Sequence, residues 1–337
     1  MSPYERLLNE WKKENLQTAD DLAGKLDSFR VLFAYHSGKI ENENVTYHDT
    51  RDIFENGKII DYTGDIRTLF EIQNQKEAHR FILESYEERR AIDEEFIKQL
   101  HAILMKGCYD EHRWNQGERP GEYKLHDYVT GIREIGCPPE YVSEEMEELI
   151  EDIQEAVPPE KAVIGGAYLH AKFENIHPFA DGNGRVGRTL MNYYFLLQGH
   201  PPVIIYEEDR KKYYAALEEF DEELKLDQMI GFLKSEAIKT HSRYLEKPLV
   251  IADIEKCGYR ATDSLIKNMR KLREICGTDC TLKDVETWKC NGFPEKAGEY
   301  AERVIEELRD QEREEGLKNS YKPDEPRYEE DEWEPER

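Results

Sequence analysis

The sequence predicts an all-α protein. Apolar residues recur at the helical period of about 3.6 residues through most of the 337-residue chain. Strand-like character is confined to one short stretch, residues 123–135, where Val129, Ile132 and Ile135 stand near Gly131. We therefore expect a mainly helical fold with one small β-hairpin.

The helical period continues in segments separated by polar, glycine-containing or proline-containing stretches. In chain order, the expected helices cover residues 4–14, 21–35, 66–89, 93–105, 143–156, 160–173, 185–198, 209–222, 263–276 and 295–315. The segment 295–315 is charged on nearly all sides, and with its neighbours in 248–316 it is expected to form a small helical bundle.

Changes in composition divide the chain into four regions. We expect N-terminal helices over 1–50, a central domain over 51–245, a further helical region over 246–316 and an acidic tail over 317–337. From Lys318 onward, three prolines stand among eight acidic residues with little to bury, which predicts disorder.

The overall charge narrows the function classes. With 47 basic and 73 acidic residues the formal net charge is −26, which opposes binding to nucleic acid or to an anionic membrane.

No apolar run approaches the roughly 18 residues that span a bilayer, and Met1 to Arg6 do not resemble a signal peptide. We expect a cytoplasmic protein whose six cysteines are reduced thiols, zinc binding by Cys276, Cys280 and Cys290 being the minor alternative.

The most informative segment is the loop from His177 to Arg188, which reads HPFADGNGRVGR. Its glycines, Gly182 and Gly184, allow backbone N–H groups to converge on an anion at the start of a helix expected near Arg185. On that helix Arg185 and Arg188 share a face, so both guanidinium groups can bind phosphate oxygens.

Two further side chains of the loop suit phosphoryl chemistry. Asp181 offers the hard oxygen ligand that a phosphate-bound Mg²⁺ needs, and His177 could deprotonate an attacking hydroxyl. A loop that merely capped a helix would need the glycines but not a base, a carboxylate, an amide and two arginines together. The combination therefore favours a polyphosphate site.

The loop resembles, without a gap, the His-Pro-Phe-x-Asp-Gly-Asn-Gly-Arg-x-x-Arg signature of the Fic family, most of whose members transfer AMP from ATP to protein hydroxyls. The resemblance implies His177 as the catalytic base and Asp181 as the Mg²⁺ ligand. It also implies that Gly182, Asn183 and Gly184 stabilise the α-phosphate. The remaining roles it implies are leaving-group binding by Arg185 and Arg188 and support of the loop by Phe179.

The resemblance continues on both sides of the loop, over roughly residues 30–240. Residues 121–131 and 138–139 resemble the family's flap hairpin, which holds the target segment, and imply nucleotide contacts from Val129, Thr130 and Gly131. Tyr213 and Tyr214 fall in the segment that encloses adenine, although a core role for this stripe is equally compatible with its spacing. Lys124 departs from the family's usual arginine, and Asp221 departs from its frequent asparagine.

An upstream segment, Ser37-Gly38-Lys39-Ile40-Glu41-Asn42, is similar to the family's inhibitory pattern Ser/Thr-x-x-x-Glu-Gly/Asn. The resemblance implies that Glu41 pairs with Arg188 and obstructs productive ATP binding, with Ser37 and Asn42 as the other fixed positions. A carboxylate there would remove one phosphate donor and add negative charge where the nucleotide belongs. Gly38 costs the helix about 1 kcal/mol relative to alanine, so we expect this segment to be releasable.

The function expected from the sequence is a protein adenylyltransferase that uses ATP and Mg²⁺ and is restrained by Glu41. Its protein target, which can be the chain itself, would add along the flap as a strand, and a homodimer is compatible with this scheme. Three alternatives stay open: hydrolysis of AMP from a modified protein, transfer of another phosphate-containing group, and an ATP-switched binding module.

Overall fold

The computed structural model describes residues 2–59, 62–128, 136–277, 280–292, 294 and 296–320. The chain divides into two compact units, residues 1–242 and 243–337. Within the described part, the first unit contains α1 (Pro3–Lys13), α2 (Ala19–Lys25), α3 (Asp27–Glu41), α4 (Tyr47–Asn56), α5 (Ile66–Glu87), α6 (Glu94–Leu104), α7 (Glu111–Asn115), α8 (Val142–Asp152), α9 (Pro159–Ile176), α10 (Asn183–Leu197), α11 (Arg210–Glu223) and α12 (Asp227–Thr240).

Helix α10 is the centre of the first unit. Nearly every side chain from Asn183 to Leu196 is buried, which is typical of a helix surrounded by others. It packs against α3, α5, α6 and α9, and its most extensive neighbour is α9. The loop that joins α9 to α10 is therefore anchored at both ends by helices that pack against each other.

Helix α3 brings the upstream segment to this core. Residues 21–35 were expected to form one helix, but the chain bends at Leu26 and forms α2 and α3 instead. Helix α3 then continues past Tyr35 to Glu41 and packs against α4, α5 and α10. An added Cβ on Gly38 would lie 3.3 Å from Cγ1 of Val45, so this glycine permits the close approach of the chain that follows α3.

The second unit has its own helices and core. Helices α13 (Ser242–Lys256), α14 (Asp263–Cys276), α15 (Leu282–Asn291) and α16 (Gly298–Ser320) enclose a cluster of buried apolar side chains that includes Leu265, Met269 and Val304. Helix α14 has the bounds expected from the sequence. Helix α16 extends to Ser320, so residues 317–320 are helical rather than part of the expected tail, and residues 321–337 lie outside the described part of the chain.

Helices α4, α7 and α12 were not expected from the sequence, whereas α13 and α15 fall largely in the region 246–316 that was expected to be helical without bounds for these two. Helices α4 and α7 are short and polar, and the apolar spacing of α12 is interrupted by Gly231. The expected hairpin falls largely on residues 129–135, which lie outside the described residues, and the described residues on either side of that gap contain no strand.

In the described part of the chain, none of the helices is long and apolar enough to cross a membrane. The cysteines described there are free thiols, namely Cys108, Cys137, Cys257, Cys276 and Cys280. The side chain of Cys290 is outside the described residues.

Candidate active site

The loop between α9 and α10 is held in place by two residues with left-handed backbone. His177 follows the last residue of α9 with a φ of 53°, and Gly182 precedes α10 with a φ of 83°. A Cβ on Gly182 would lie 2.4 Å from Sδ of Met105, so this position requires glycine for both conformation and space. These two residues mark the end of α9 and the start of α10.

Inside the loop, Phe179 and Asn183 form its structural base. The Phe179 ring is buried and stacks on His101 of α6, with ring centroids 3.7 Å apart and planes 5° from parallel. The Asn183 side chain accepts a hydrogen bond from the Phe179 N–H at 2.9 Å and donates one to the Phe179 carbonyl at 2.7 Å. Because the Asn183 amide is occupied in this way, an anion would meet the backbone N–H groups of the first turn of α10.

His101 fixes the position of Asp181. Its Nδ1 accepts from the Gly121 N–H at 2.7 Å, which leaves the proton on Nε2 to be donated to the Asp181 carbonyl at 3.0 Å. Burial lowers the pKa of His101 to about 4, so the ring is neutral at neutral pH, as this tautomer requires. His101 thus connects α6 with the loop and with the chain at Gly121.

His177, at the start of the loop, is half-buried. Burial, and to a lesser extent the positive charge of Lys124, lower its pKa to about 4, against the smaller opposing effect of a hydrogen bond to the Glu174 carbonyl. The chain at Gly136 packs closely against it, since a Cβ on Gly136 would lie 2.7 Å from Cβ of His177. The imidazole is therefore neutral at neutral pH and able to accept a proton.

Arg188 is buried, with 1% of its side chain exposed, and is bound by α3. Its Nε donates to Oγ of Ser37 at 3.0 Å, and its Nη2 donates to the Ser37 carbonyl at 2.9 Å and to Oε1 of Glu41 at 2.7 Å. All three acceptors come from the upstream segment that was predicted to be inhibitory.

The Glu41 carboxylate also lies against the first turn of α10. A Cβ built on Gly184 would be 2.2 Å from Oε1 of Glu41 and 2.9 Å from Nη1 of Arg188. This is the position that a helix N-terminus and an arginine make favourable for an anion. Glu41 therefore occupies the place where the phosphates of a nucleotide would be expected.

Asp181 and Arg185 belong to a ring of four alternating charges. Asp181 accepts from Arg67 at 2.7 Å through Oδ2 and from Arg185 at 3.3 Å through Oδ1. Glu71 of α5 closes the ring, because its Oε1 lies 3.0 Å from Nε of Arg67 and 3.1 Å from Nη1 of Arg185. Arg113 lies further from the Asp181 carboxylate, at 3.9 Å.

The end of α3 is connected to this ring through Asn42. Its Nδ2 donates to Oε2 of Glu71 at 2.7 Å and to Oγ1 of Thr68 at 3.0 Å. The two neighbouring residues Glu41 and Asn42 are thus linked to the two arginines of the loop, Glu41 to Arg188 directly and Asn42 to Arg185 through Glu71.

Asp181 is suited to bind Mg²⁺. Burial raises the pKa of its carboxyl, but Arg185 and Arg67 outweigh that effect and the pKa is lowered, so Asp181 is ionised. Among the described residues, no group of three or more His, Cys, Asp and Glu side chains could hold a metal ion. Mg²⁺ usually takes only one or two protein carboxylates and completes its shell with phosphate oxygens and water, so a single Asp181 is sufficient.

The two tyrosines predicted to contact adenine are placed differently from each other. The Tyr213 side chain is buried, bonded through its hydroxyl to Nε2 of His170 at 2.9 Å and 3.5 Å from Nη1 of Arg188. It supports Arg188 from the core, so the core interpretation of this stripe holds for Tyr213. Tyr214 is 45% exposed and remains a candidate for a nucleotide contact.

Other predicted contacts surround the flap. Val129, Thr130 and Gly131 lie outside the described residues. Lys124 is buried, its N–H donates to the Pro178 carbonyl at 2.9 Å, and burial lowers the pKa of its amine. Burial raises the pKa of Asp221, which accepts from Nδ2 of Asn175 at 2.8 Å.

Three residues of the site were missed by sequence reasoning: Arg67, Glu71 and His101. Each lies on α5 or α6, far along the chain from the loop, and carries no motif of its own. The one available signal was burial of polar residues within apolar helix faces, which does not name a partner.

These features define a class of protein: a helical domain in which the N-terminus of the central helix and two arginines form a site suited to an anion. Residues 91–195 match the family model of the Fic/DOC family. The similarity to known proteins extends beyond the matched region.

Among curated proteins, protein adenylyltransferase fic-1 of Caenorhabditis briggsae is 29% identical over 208 residues, which cover 60% of this chain and 39% of that protein. A Fido domain-containing protein of Dictyostelium discoideum is 37% identical over 84 residues, covering 24% of this chain and 57% of that protein. The chain thus spans about two-fifths of the length of the Caenorhabditis relative.

Solved structures show the same fold. A Fic domain containing signaling protein from Bacteroides thetaiotaomicron superposes with a TM-score of 0.61 at 24% identity, covering 73% of this chain and 96% of that one. A fragment of Fic-1 from Caenorhabditis elegans superposes with a TM-score of 0.59 at 25% identity, covering 72% and 71%.

Proposed function

We propose that this chain is a protein adenylyltransferase that transfers AMP from ATP to a protein hydroxyl and is restrained by its own Glu41. The observation that carries the proposal is the Glu41 carboxylate, which is 2.7 Å from Arg188 and against the first turn of α10. The names of the Caenorhabditis relatives support the reaction class.

In the proposed reaction, the neutral His177 accepts the proton of a Ser, Thr or Tyr hydroxyl on the target. The hydroxyl oxygen forms a bond to the α-phosphorus in line with the bond that breaks, and pyrophosphate leaves. The first-turn N–H groups of α10 and the guanidinium groups of Arg185 and Arg188 stabilise the negative charge on the phosphates. Mg²⁺ held by Asp181 would neutralise charge on the same phosphates.

Glu41 opposes this reaction while it stays on Arg188. It satisfies the guanidinium and adds a negative charge beside the phosphate position, so ATP binds weakly or out of line. We propose that release of the end of α3 switches the enzyme on. The target would bind along the flap, the chain itself and a second copy are candidate targets, and the cytoplasm is the proposed location.

The test uses ATP labelled on the α-phosphate, Mg²⁺, and three proteins: the unchanged chain, Glu41→Gly and Glu41→Gly/His177→Ala. Label on protein is read after gel electrophoresis. The proposal requires strong labelling of Glu41→Gly, weak labelling of the unchanged chain and none of the double variant. Equal labelling of all three would contradict it, and loss of label from Glu41→Gly when the unchanged chain is added would assign the reverse, hydrolytic reaction.

A further inference from the structure

The ring of charges around Asp181 contains a group that neither the loop motif nor the upstream motif includes. Arg67 lies in the first turn of α5, and its backbone N–H is bonded to the capping residue Asp65 at 3.0 Å. Its guanidinium spans two carboxylates, donating through Nη2 to Asp181 at 2.7 Å and through Nε to Glu71 at 3.0 Å. Arg67 and Arg185 thus bind the two oxygens of Asp181 separately, Oδ2 and Oδ1.

The two arginines of the ring differ in exposure. The Arg185 side chain is 3% exposed and is enclosed by the ring, whereas the Arg67 side chain is 36% exposed and approaches from the solvent side. Arg67 is therefore the arginine of the ring that has room to move toward solvent, while its partners Asp181 and Glu71 stay in place with 19% and 6% of their side chains exposed. Asp181 and Glu71 would both keep Arg185 after Arg67 has left.

Mg²⁺ and Arg67 would compete for the Asp181 carboxylate. A cation held by this carboxylate would lie close to the guanidinium that is 2.7 Å from Oδ2, and the two positive charges would repel each other. We propose that Arg67 is a gate on the metal position, which must swing away from Asp181 before Mg²⁺ binds with the nucleotide. This inference rests on the proposed function of the loop and adds a second restraint, independent of Glu41.

Removing the gate should make the metal easier to bind. In a Glu41→Gly background, ATP affinity is measured by calorimetry at graded Mg²⁺ concentrations for Arg67→Gln and for Arg80→Gln as the matched control. Arg80 is on the same helix, is 72% exposed and pairs only at the surface, with Glu77 and Glu84. The quantity compared is the Mg²⁺ concentration at which the ATP association constant reaches half of its maximum. Arg67→Gln should lower this concentration by about three- to ten-fold, and Arg80→Gln should not change it.

Two results would overturn the gate. A Mg²⁺ requirement unchanged within about two-fold would make the Arg67 pair an ordinary surface contact. Weaker ATP binding by Arg67→Gln at saturating Mg²⁺ would make Arg67 a phosphate ligand instead. Thermal unfolding of both variants checks that the fold is retained.

A second readout separates this inference from the proposed function. Mn²⁺ binding to the nucleotide-free proteins is followed by the electron paramagnetic resonance signal of free Mn²⁺. Arg67→Gln should bind Mn²⁺ more tightly than Arg80→Gln, and an added Asp181→Asn should remove the gain. If ATP binds to none of the proteins, the proposed function fails, and the Mn²⁺ comparison still supports or overturns the gate.

Discussion

Glu41 and Arg188 are separated by 147 positions in the chain, yet their side chains meet at 2.7 Å at the first turn of the central helix. The two side chains differ in burial: that of Arg188 is 1% exposed, and that of Glu41 is about one-third exposed. The arginine is therefore a fixed part of the core, while the glutamate reaches it from the end of α3. An anionic ligand that binds Arg188 more tightly than Glu41 does can therefore displace Glu41 without disturbing the core.

Asn42 should control how firmly Glu41 is held. Asn42→Ala removes the bonds to Glu71 and Thr68 that anchor the residue immediately after Glu41. Hydrogen bonds to charged groups contribute about 1.5–3 kcal/mol locally, so we expect ATP affinity to rise by about two- to ten-fold. Calorimetry of ATP binding measures this.

The control for this prediction is Asn44→Ala, at an exposed position two residues further on. Amide hydrogen exchange over residues 37–42 provides a second readout and should become faster in Asn42→Ala. Unchanged exchange together with unchanged ATP affinity would show that Asn42 does not anchor the segment.

His177 should remain neutral well below the usual histidine range. Burial and Lys124 lower its pKa to about 4, so the base form persists from pH 8 to pH 5. An ordinary histidine with a pKa of about 6.5 would already be roughly three-quarters protonated at pH 6. Proton NMR titration of the ring measures the pKa directly, and His177→Ala identifies its signal among the 10 histidines. A titration midpoint near 6.5 would contradict this prediction.

Glu174 should reduce stability as the pH rises. Burial, with smaller contributions from the negative charges of Glu41 and Asp221, raises its pKa to about 8 against the opposing charge of Arg188. Below the unfolded value of about 4.5 the carboxyl is protonated in both states. Between pH 4.5 and 8 the unfolded chain releases the proton and the folded chain retains it, so stability is lost through that window.

Glu174→Gln should remove this penalty. The variant should be more stable than the unchanged chain by on the order of 1–3 kcal/mol at pH 8 and nearly equal to it at pH 4.5. Thermal or urea unfolding at the two pH values measures the difference, with the exposed Glu147→Gln as control. Equal stability of Glu174→Gln and the unchanged chain at pH 8 would show that the buried carboxyl carries no such cost.

The sequence allowed prediction of the parts of the site that are contiguous. The residues from His177 to Arg188 follow one another, so their chemistry and the turn that joins two helices could be recognised together. The Glu41 segment was found through its pattern, and its role as a restraint stays a prediction. By contrast, Arg67 and Glu71 reach the site through the packing of α5 on α10, which no spacing in the chain encodes.

Helix boundaries failed where the apolar period gives no signal. The period continues through Leu26, so residues 21–35 were expected to form a single helix, whereas Thr18 caps α2 and a new helix begins at Asp27. Tyr213 was ambiguous for a related reason. A helical stripe gives the face that is buried, but the partners of its hydroxyl, His170 and Arg188, depend on tertiary packing.

The most direct test of the account is the affinity of Mg²⁺-ATP for the unchanged chain, Glu41→Gln and Glu43→Gln, measured by calorimetry at saturating Mg²⁺. Glu41→Gln keeps the size of the side chain and removes its charge from Arg188, and Glu43 is exposed two residues away. We predict that Glu41→Gln binds ATP about ten-fold or more tightly, with Glu43→Gln unchanged. Equal affinity of all three proteins would contradict the claim that Glu41 occupies the phosphate position.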